Sequence, residues 1–335
     1  MKLYTVAILG ATGAVGQEMM NLLEERNFPV GKLVPLASAR SAGKTLKFRG
    51  EDVKIELACD EAFEGIDIVL GAAENDIAEK FAPAIVKAGC VFVDNSSAFR
   101  MNDDVPLVVP EINPEDALKH NGIIANPNCS TIITMVALGG IRKVTEIEKM
   151  VACTYQAVSG AGVAGMQELE DQITGYNAGS VPAPKTFPCQ ILSNVIPQIG
   201  GELENGYTSE EMKMQNEGRK IMHLPDLKVC CTCVRVPVMR SHSISVQLVT
   251  KDPISVEEAK AAVKAAKGCV LIEDLNGRNY PTPLDTTDQD LVYVGRIRRD
   301  LLDDERGITL WCCGDQVRNG AATNCVQIAE LLVER

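Results

Sequence analysis

The 335-residue sequence contains no apolar run of about 18 residues or more, the length that a bilayer-spanning helix requires, so no transmembrane helix is expected. It also lacks a cluster of basic residues. Lys and Arg run at most in pairs, as at Arg298-Arg299, and 33 of them face 45 Asp and Glu, for a net charge of −12. An acidic chain without a basic patch repels phosphate backbones, which removes nucleic acid from the expected partners. No export signal is expected either. Lys2 precedes a short apolar run, but the run breaks at Gly10, Gly13 and Gly16 and then meets Glu18, as a buried strand entering a turn does. There is no internal repeat and no low-complexity tract. Histidine is scarce, at three residues, so the candidates for a proton carrier near neutral pH are few.

What is present is ordinary for a globular protein: 46% hydrophobic and 23% charged residues. At roughly 150 residues per domain the length predicts about two domains. Twelve cysteines are the unusual feature. Most lie in apolar, strand-like segments, as do Cys90, Cys153 and Cys312, where a thiol acts as a small hydrophobe. Reduced thiols and a cytoplasmic protein are expected.

From Lys2 to about Ala125 short apolar runs alternate with amphipathic stretches. Strands are predicted at Tyr4–Leu9, Leu33–Ala37, Ile66–Leu70 and Cys90–Val93. Helices are predicted at Ala14–Arg26, with Val15, Met19, Leu22 and Leu23 on one face, and at Ile77–Lys87. That alternation implies a parallel sheet covered on both sides. After about Asn126 the pattern changes. A helix starts near Cys129, and longer strands follow at Lys149–Val158, Lys228–Val236, Ser243–Thr250, Val292–Arg298 and Ile308–Cys313. Several alternate polar with apolar residues, as antiparallel strands covered on one face do. Further helices are expected at Ser209–Met222, Val256–Lys267 and Ala321–Glu334, and Val181–Pro188 reads as a loop.

Three segments carry chemistry. Gly10-Ala-Thr-Gly13-Ala-Val-Gly16 follows the first strand and opens the first helix. Its glycines permit a tight turn and close approach of a pyrophosphate to helix N–H groups, with Gly10, Thr12, Gly13, Ala14 and Val15 as candidate contacts. The spacing is GxxGxxG rather than GxGxxG. After the second strand comes Ser38-Ala39-Arg40-Ser41, where an NAD-selective protein places an acidic residue. A cation flanked by hydroxyls suits a 2′-phosphate, so NADP is expected. Cys129, in Asn126-Pro127-Asn128-Cys129, sits at a polar turn before a helix. The helix dipole and unpaired N–H donors favour the nucleophilic thiolate there, Asn128 is placed to cap the helix, and nearby N–H groups can hold an oxyanion. Of the histidines, His120 and His223 read as surface residues. His242 lies between two strands beside Arg235 and Arg240, where an imidazole can carry a proton.

Together the GATGAVG loop, NPNCST around Cys129, TYQAVSGAG from Thr154 to Gly162 and RVP…SHS from Arg235 resemble aspartate-semialdehyde dehydrogenases, in order and spacing, over nearly the whole chain. The resemblance implies a Rossmann-like NADP-binding domain (1–128, completed by a C-terminal helix within 316–335). It also implies a mixed α+β catalytic and dimerisation domain (129–315), and a homodimer or a tetramer built from it. It implies Cys129 as the nucleophile that forms a thioacyl enzyme, His242 as acid/base catalyst, and Gln156 as the residue orienting the acyl intermediate. Arg235 would clamp the substrate α-carboxylate. Glu217 and Lys220 match the family's Glu-x-x-Lys pair, for the substrate ammonium and for phosphate; the spacing puts them on one helix face. Arg100 would be a second phosphate ligand. Ser159 and Gly160 would lie against the nicotinamide. The implied reaction is NADPH-dependent reductive dephosphorylation of L-aspartyl-4-phosphate, on the route to lysine, threonine and methionine.

One departure is clear. The family commonly has an Asp-Asn pair before Leu-Arg-Lys-Gly-Ala-Ala; here Asp315-Gln316 precedes Val317-Arg318-Asn319-Gly320. Gln316 carries the same amide one methylene further out, so its nicotinamide contact is expected to persist. Cys230-Cys231-Thr232-Cys233 contains a C-x-x-C spacing, but a zinc site needs a second pair and only the adjacent Cys312-Cys313 offers one, so no metal is expected. Rival readings are an N-acetylglutamyl-phosphate reductase, a glyceraldehyde-3-phosphate dehydrogenase and a non-catalytic NADP-binding protein. A carboxylate for a free ammonium disfavours the first. The Ser-Cys-Thr-Thr-Asn signature of the second is absent. The third has no reason to keep Cys129, Gln156, Arg235 and His242 together.

Overall fold

A computed structural model describes residues 2–303 and 305–333. The chain forms two compact units, one of residues 1–128 with 321–335, the other of residues 129–320.

In the first unit, β1 (Tyr4–Leu9) leads through the glycine loop into α1 (Ala14–Glu25), then β2 (Val30–Ala37). A hairpin of β3 (Thr45–Phe48) and β4 (Glu51–Lys54) precedes β5 (Glu56–Leu57), β6 (Ile68–Gly71), α2 (Asn75–Lys87), β7 (Val91–Asp94) and β8 (Ile123–Ala125). The sheet order is β5-β2-β1-β6-β7-β8, and every pairing in it is parallel. Val6 and Ile8 pack on one face with Met19, Leu22 and Leu23 of α1; Ala7 and Leu9 pack on the other with Phe81 and Ile85 of α2. Continuous apolar strands are thus covered on both sides, as their composition requires. The hairpin has no apolar period, because most of its residues are exposed; Arg49 and Gly50 take positive φ at its tip. The C-terminal helix (Asn324–Leu331) joins this unit, burying Cys325, Val326, Ile328 and Ala329 against the α1 face. It was expected to run on to Glu334, which lies outside the described residues.

The second unit contains α3 (Cys129–Val144), β9 (Ile147–Gln156), α4 (Gly162–Asn177), α5 (Ser209–Met222), β10 (Lys228–Arg235) and β11 (His242–Thr250). It continues through α6 (Val256–Ala265), β12 (Cys269–Leu271), α7 (Pro283–Thr286), β13 (Val292–Arg299) and β14 (Gly307–Gly314). Its sheet order is β10-β9-β11-β14-β13-β12. The sheet is mixed: β9 pairs antiparallel with β11 but parallel with β10, and β12 pairs parallel with β13. The alternation in several of these strands had pointed to antiparallel pairing, which β9–β11, β11–β14 and β13–β14 show. A long crossover through α4 and α5 permits the parallel pair. Three strand ends meet at one edge, because Arg235 pairs with Gln156 and Ser243 with Tyr155. That register brings the last residues of β9 and β10 beside the first of β11.

Candidate active site

The glycine loop of the first unit fits a dinucleotide phosphate. Gly10 has φ +92°, and a Cβ there would lie 2.7 Å from the Ala72 carbonyl oxygen; at Gly16 a Cβ would lie 2.4 Å from the Gly10 carbonyl. Both glycines are demanded by the turn itself. Gly13 is different: a Cβ there meets nothing closer than 3.4 Å, so internal packing does not exclude a side chain. Gly13 is also the N-cap of α1 and supplies no side-chain hydrogen bond to it, and both Thr12 and Gly13 are exposed. An exposed, uncapped helix N-terminus behind a bare Cα is a cradle for an anion. Ala14 and Val15 are half-buried in the first helical turn. Ser38 and Arg40 are exposed and Ser41 half-buried just past the C-terminal end of the neighbouring β2, and Arg40 forms no ion pair among the described residues. A cation left unpaired beside the cradle suits a second phosphate.

In the second unit, Cys129 is the first residue of α3 and His242 the first of β11. Cys129 Sγ lies 3.4 Å from His242 Nε2. The other ring nitrogen, Nδ1, accepts a 3.0 Å hydrogen bond from the Ala157 N–H. The carbonyl of the same Ala157 accepts a 2.7 Å bond from Arg235 Nη1. Gln156, ending β9, has its amide oriented by two partners: Oε1 accepts from Thr154 Oγ1 at 3.0 Å and Nε2 donates to Glu210 Oε1 at 3.2 Å. That Nε2 lies 3.5 Å from His242 Nε2. A Cβ at Gly160 would come within 2.6 Å of Arg235 Nη1 and 3.2 Å of His242 Cε1, so glycine is needed there for the cluster to close.

Burial sets the electrostatics. His242 is fully buried, and its imidazole is pushed down to about 3 by burial and by the neighbouring Arg235 charge, against the opposing pull of Glu210. Burial also lowers the Arg235 guanidinium, while Cys129, Glu210 and Cys233 oppose the shift. A thiol, a neutral imidazole, a primary amide, a carboxylate and a cation therefore converge. Such a set can carry out acyl transfer at a thiol on a small substrate bearing charges of both signs.

The family models for the semialdehyde dehydrogenase NAD binding domain and dimerisation domain match residues 5–120 and 138–319. The aspartate-semialdehyde dehydrogenase of Synechocystis sp. is 51% identical over 330 residues, 98% of this chain and 97% of its own length. That of Aquifex aeolicus is 49% identical over 335 residues, 99% of this chain and 98% of its own. The crystal structure of aspartate semialdehyde dehydrogenase II from Vibrio cholerae complexed with ASA superposes with a TM-score of 0.96 at 45% identity, over 99% of this chain and 98% of that one. The aspartate semialdehyde dehydrogenase of Candida albicans with NADP gives 0.74 at 25% identity, over 99% and 98%. The chain belongs to the aspartate-semialdehyde dehydrogenase family.

Aspartate-semialdehyde dehydrogenases are oxidoreductases, and within this member the structure brings Cys129, Gln156, Arg235 and His242 together. It adds one residue that the sequence had not singled out. Glu210, with a side chain only 10% exposed, bonds Gln156 and forms a 2.8 Å ion pair with Lys213. Glu217 is buried and Lys220 half-buried about two turns further along α5, and the hydrogen bonds that order Gln156 run to Glu210. The Glu-x-x-Lys spacing occurs twice on this helix, at 210/213 and 217/220, so spacing could not choose between them. The helix start brings the first pair beside Gln156. Thr208 and Glu211 form a capping box, and Glu211 Oε1 also accepts from the Cys233 N–H at 3.1 Å, which fixes Glu211 as structural and turns Glu210 towards Gln156.

Gln316 is held on both sides by its own chain. Its Oε1 accepts from the Ser241 N–H at 2.9 Å and its Nε2 donates to Ser159 Oγ, so both ends of the amide are engaged within the chain. Arg100, in the first unit, is buried and donates from Nε to the Asn126 carbonyl and from Nη2 to the Asn95 carbonyl, each at 2.9 Å. It braces the backbone three residues before Cys129. None of the twelve cysteines is in a disulfide. Cys231 and Cys233 face inward with sulfurs 3.8 Å apart, whereas Cys230 faces outward, 3.4 Å from the Tyr207 hydroxyl. Of the other histidines, His223 is exposed and His120 half-buried.

Proposed function

We propose that the protein catalyses the NADPH-dependent conversion of L-aspartyl-4-phosphate to L-aspartate 4-semialdehyde and phosphate, through a thioester on Cys129. The observation that carries this reading is the 3.4 Å pairing of Cys129 with buried His242 inside a ring of Gln156, Arg235 and Glu210. Cys129 forms the bond to the acyl carbon and phosphate leaves, so one difficult displacement becomes two easier steps. Arg235 takes the α-carboxylate, and Glu210, in preference to Glu217, takes the α-ammonium. Gln156 orients the acyl group. Lys213 and Arg100 are the cations for phosphate, with Lys220 the alternative to Lys213. When bound, NADP(H) supplies the hydride chemistry. Gly10, Thr12, Gly13, Ala14 and Val15 would hold its pyrophosphate, Ser38, Arg40 and Ser41 its 2′-phosphate, and Ser159 and Gly160 the nicotinamide end. Gln316 would act there through Ser159.

An N-acetylated substrate carries no ammonium, and a buried carboxylate beside Gln156 would then face no cation of the substrate. This disfavours the N-acetylglutamyl-phosphate reading. We place the enzyme in the cytoplasm, on the route to lysine, threonine and methionine. The partner is a second copy of the chain, across the sheet face that carries the exposed Val151 and Tyr155, in keeping with the match to a dimerisation domain. The test runs in reverse: purified protein, aspartate semialdehyde, phosphate and NADP, followed by NADPH absorbance. Phosphate-dependent signal is expected, with none from Cys129→Ala while that variant still binds NADP. Substantial turnover by Cys129→Ala would remove the covalent route.

A further inference from the structure

Arg235 is held from two directions by a segment that lies outside the catalytic cluster. We propose that Phe187 is a positioning residue for Arg235: the face of its ring holds the guanidinium where it takes the substrate carboxylate, and the segment 185–196, pinned to α4, keeps that ring in place.

Arg235 as the carboxylate clamp rests on the proposed function; the contacts that hold Arg235 stand apart from it. The guanidinium carbon lies over the Phe187 ring, 5.8 Å from its centroid. That is inside the distance of roughly 6 Å within which the negative face of an aromatic ring attracts a cation. Both side chains are buried, so little water competes for the charge. A guanidinium carries five N–H donors. Among the described residues the Arg235 side chain makes one hydrogen bond, from Nη1 to the Ala157 carbonyl at 2.7 Å. A ring against the guanidinium and a carbonyl at one nitrogen fix the group, and its other donors are left for a planar, bidentate acceptor. The same segment grips the Arg235 backbone. The Ile196 N–H donates to the Arg235 carbonyl at 2.9 Å, and the Arg235 N–H donates to the Ile196 carbonyl at 2.8 Å.

The half-polar inward face of α4 then acquires a purpose. The segment 185–196 contains no helix and no strand beyond the Ile196 bridge, so its place depends on what anchors it. Glu168 accepts from the N–H groups of Lys185 and Thr186, and Gln172 accepts from those of Ile191 and Leu192. The two side chains lie one turn apart on α4 and so share a face. Phe187 sits between the two anchor points and packs with Val158, Leu169, Ile191 and Ile196. Gly165 makes room for it, since a Cβ there would lie 3.2 Å from Phe187 Cζ. Packing alone would accept any apolar side chain of about this size at 187. A buried guanidinium distinguishes a ring from an aliphatic chain, because only the ring presents a negative face.

Steady-state oxidation of aspartate semialdehyde by the full-length protein tests this. Phe187→Leu keeps an apolar side chain and removes the ring. The KM for aspartate semialdehyde should rise about three- to 30-fold, the range to which cation–π energies convert, while kcat and the KM for NADP change less than about twofold. A purely structural role would lower kcat and the melting temperature instead, so a second series separates the two. Mono-, di- and trifluorinated phenylalanine at position 187 nearly keep the shape of the ring and progressively weaken the negative charge of its face. The KM should climb with each fluorine at an unchanged melting temperature. A flat series would overturn the proposal, whatever Phe187→Leu does. In an Arg235→Gln background the series should be flat, because the group that Phe187 acts through is gone. A climb as steep there as in the parent would also overturn it. Arg235→Gln alone tells the two readings apart. An unchanged KM in that variant would remove the carboxylate clamp and the role of Phe187 with it. A raised KM combined with a flat fluorine series would remove the role of Phe187 and leave the clamp.

Discussion

Replacing Glu210 by Gln removes one negative charge while keeping the size and shape of the side chain. Oε1 of Glu210 accepts from Gln156 at 3.2 Å and Oε2 from Lys213 at 2.8 Å. The side chain is only 10% exposed, so solvent screens the charge little. If this carboxylate receives the substrate ammonium, Glu210→Gln replaces an ion pair by a hydrogen bond to an uncharged amide oxygen and leaves the Lys213 charge without its counter-ion. A hydrogen bond to a charged group is worth about 1.5–3 kcal/mol, which converts to about a ten- to 150-fold rise in KM for aspartate semialdehyde. The assay is steady-state NADP reduction with phosphate saturating. The KM for NADP serves as internal control and should change less than about twofold, within the effect expected of a remote substitution. Glu217→Gln is the comparator. Its carboxyl is buried further along α5, so the expected effect there is on thermal stability, with KM unchanged. The opposite pattern, a raised KM in Glu217→Gln and a normal one in Glu210→Gln, would refute the reasoning and move the ammonium site two turns along the helix.

Arg40→Glu should raise the KM for NADP far more than that for NAD, because Arg40 is exposed and has no ion-pair partner among the described residues to lose; equal effects on the two cofactors would sink the assignment. His242, being buried and neutral, ties stability to pH. Its folded pKa lies below the unfolded value, so below about pH 6.5 the unfolded state gains a proton that the native state refuses, and stability falls by up to about 1.4 kcal/mol per pH unit as pH drops. Urea melts from pH 7 to 4.5 should show this slope, and His242→Gln should lack that component. Glu168 acts in another window. Burial raises its carboxyl, but the N–H groups of Thr186 and Lys185 outweigh that and hold it below the usual range, so its contribution is full above about pH 4.5 and is lost as pH falls further. Glu168→Gln should therefore lower the melting temperature at pH 7 and bring little change at pH 3.

The elements that the sequence places well are those whose burial follows a period. β1 and α5 fall on their predicted limits, and Met19, Leu22 and Leu23 are buried as the helical period requires. The β3–β4 hairpin was missed because it is mostly exposed, and α4 for a different reason. α4 buries Glu168 and Gln172 beside Gly165 and Leu169, so its inward face is half polar and shows no apolar stripe. Those two side chains satisfy N–H groups of the loop that follows: Glu168 those of Lys185 and Thr186, Gln172 those of Ile191 and Leu192. That bonding is non-local, and no window of sequence contains it. The site divides in the same way. Cys129 was legible because an Asn-Pro-Asn turn before a helix is a local signal. Ala157 was not, because its role is backbone and depends on β9 meeting β10 and β11 in one register. Glu210 was obscured by a second Glu-x-x-Lys on its own helix, and a capping bond to Thr208 separates the two pairs. Gln316 bonds Ser241 and Ser159 at once, and both partners lie far from it in the chain, so no local window contains that arrangement. A primary amide has two N–H donors and two acceptor sites, so these two bonds do not use up its capacity for a ligand.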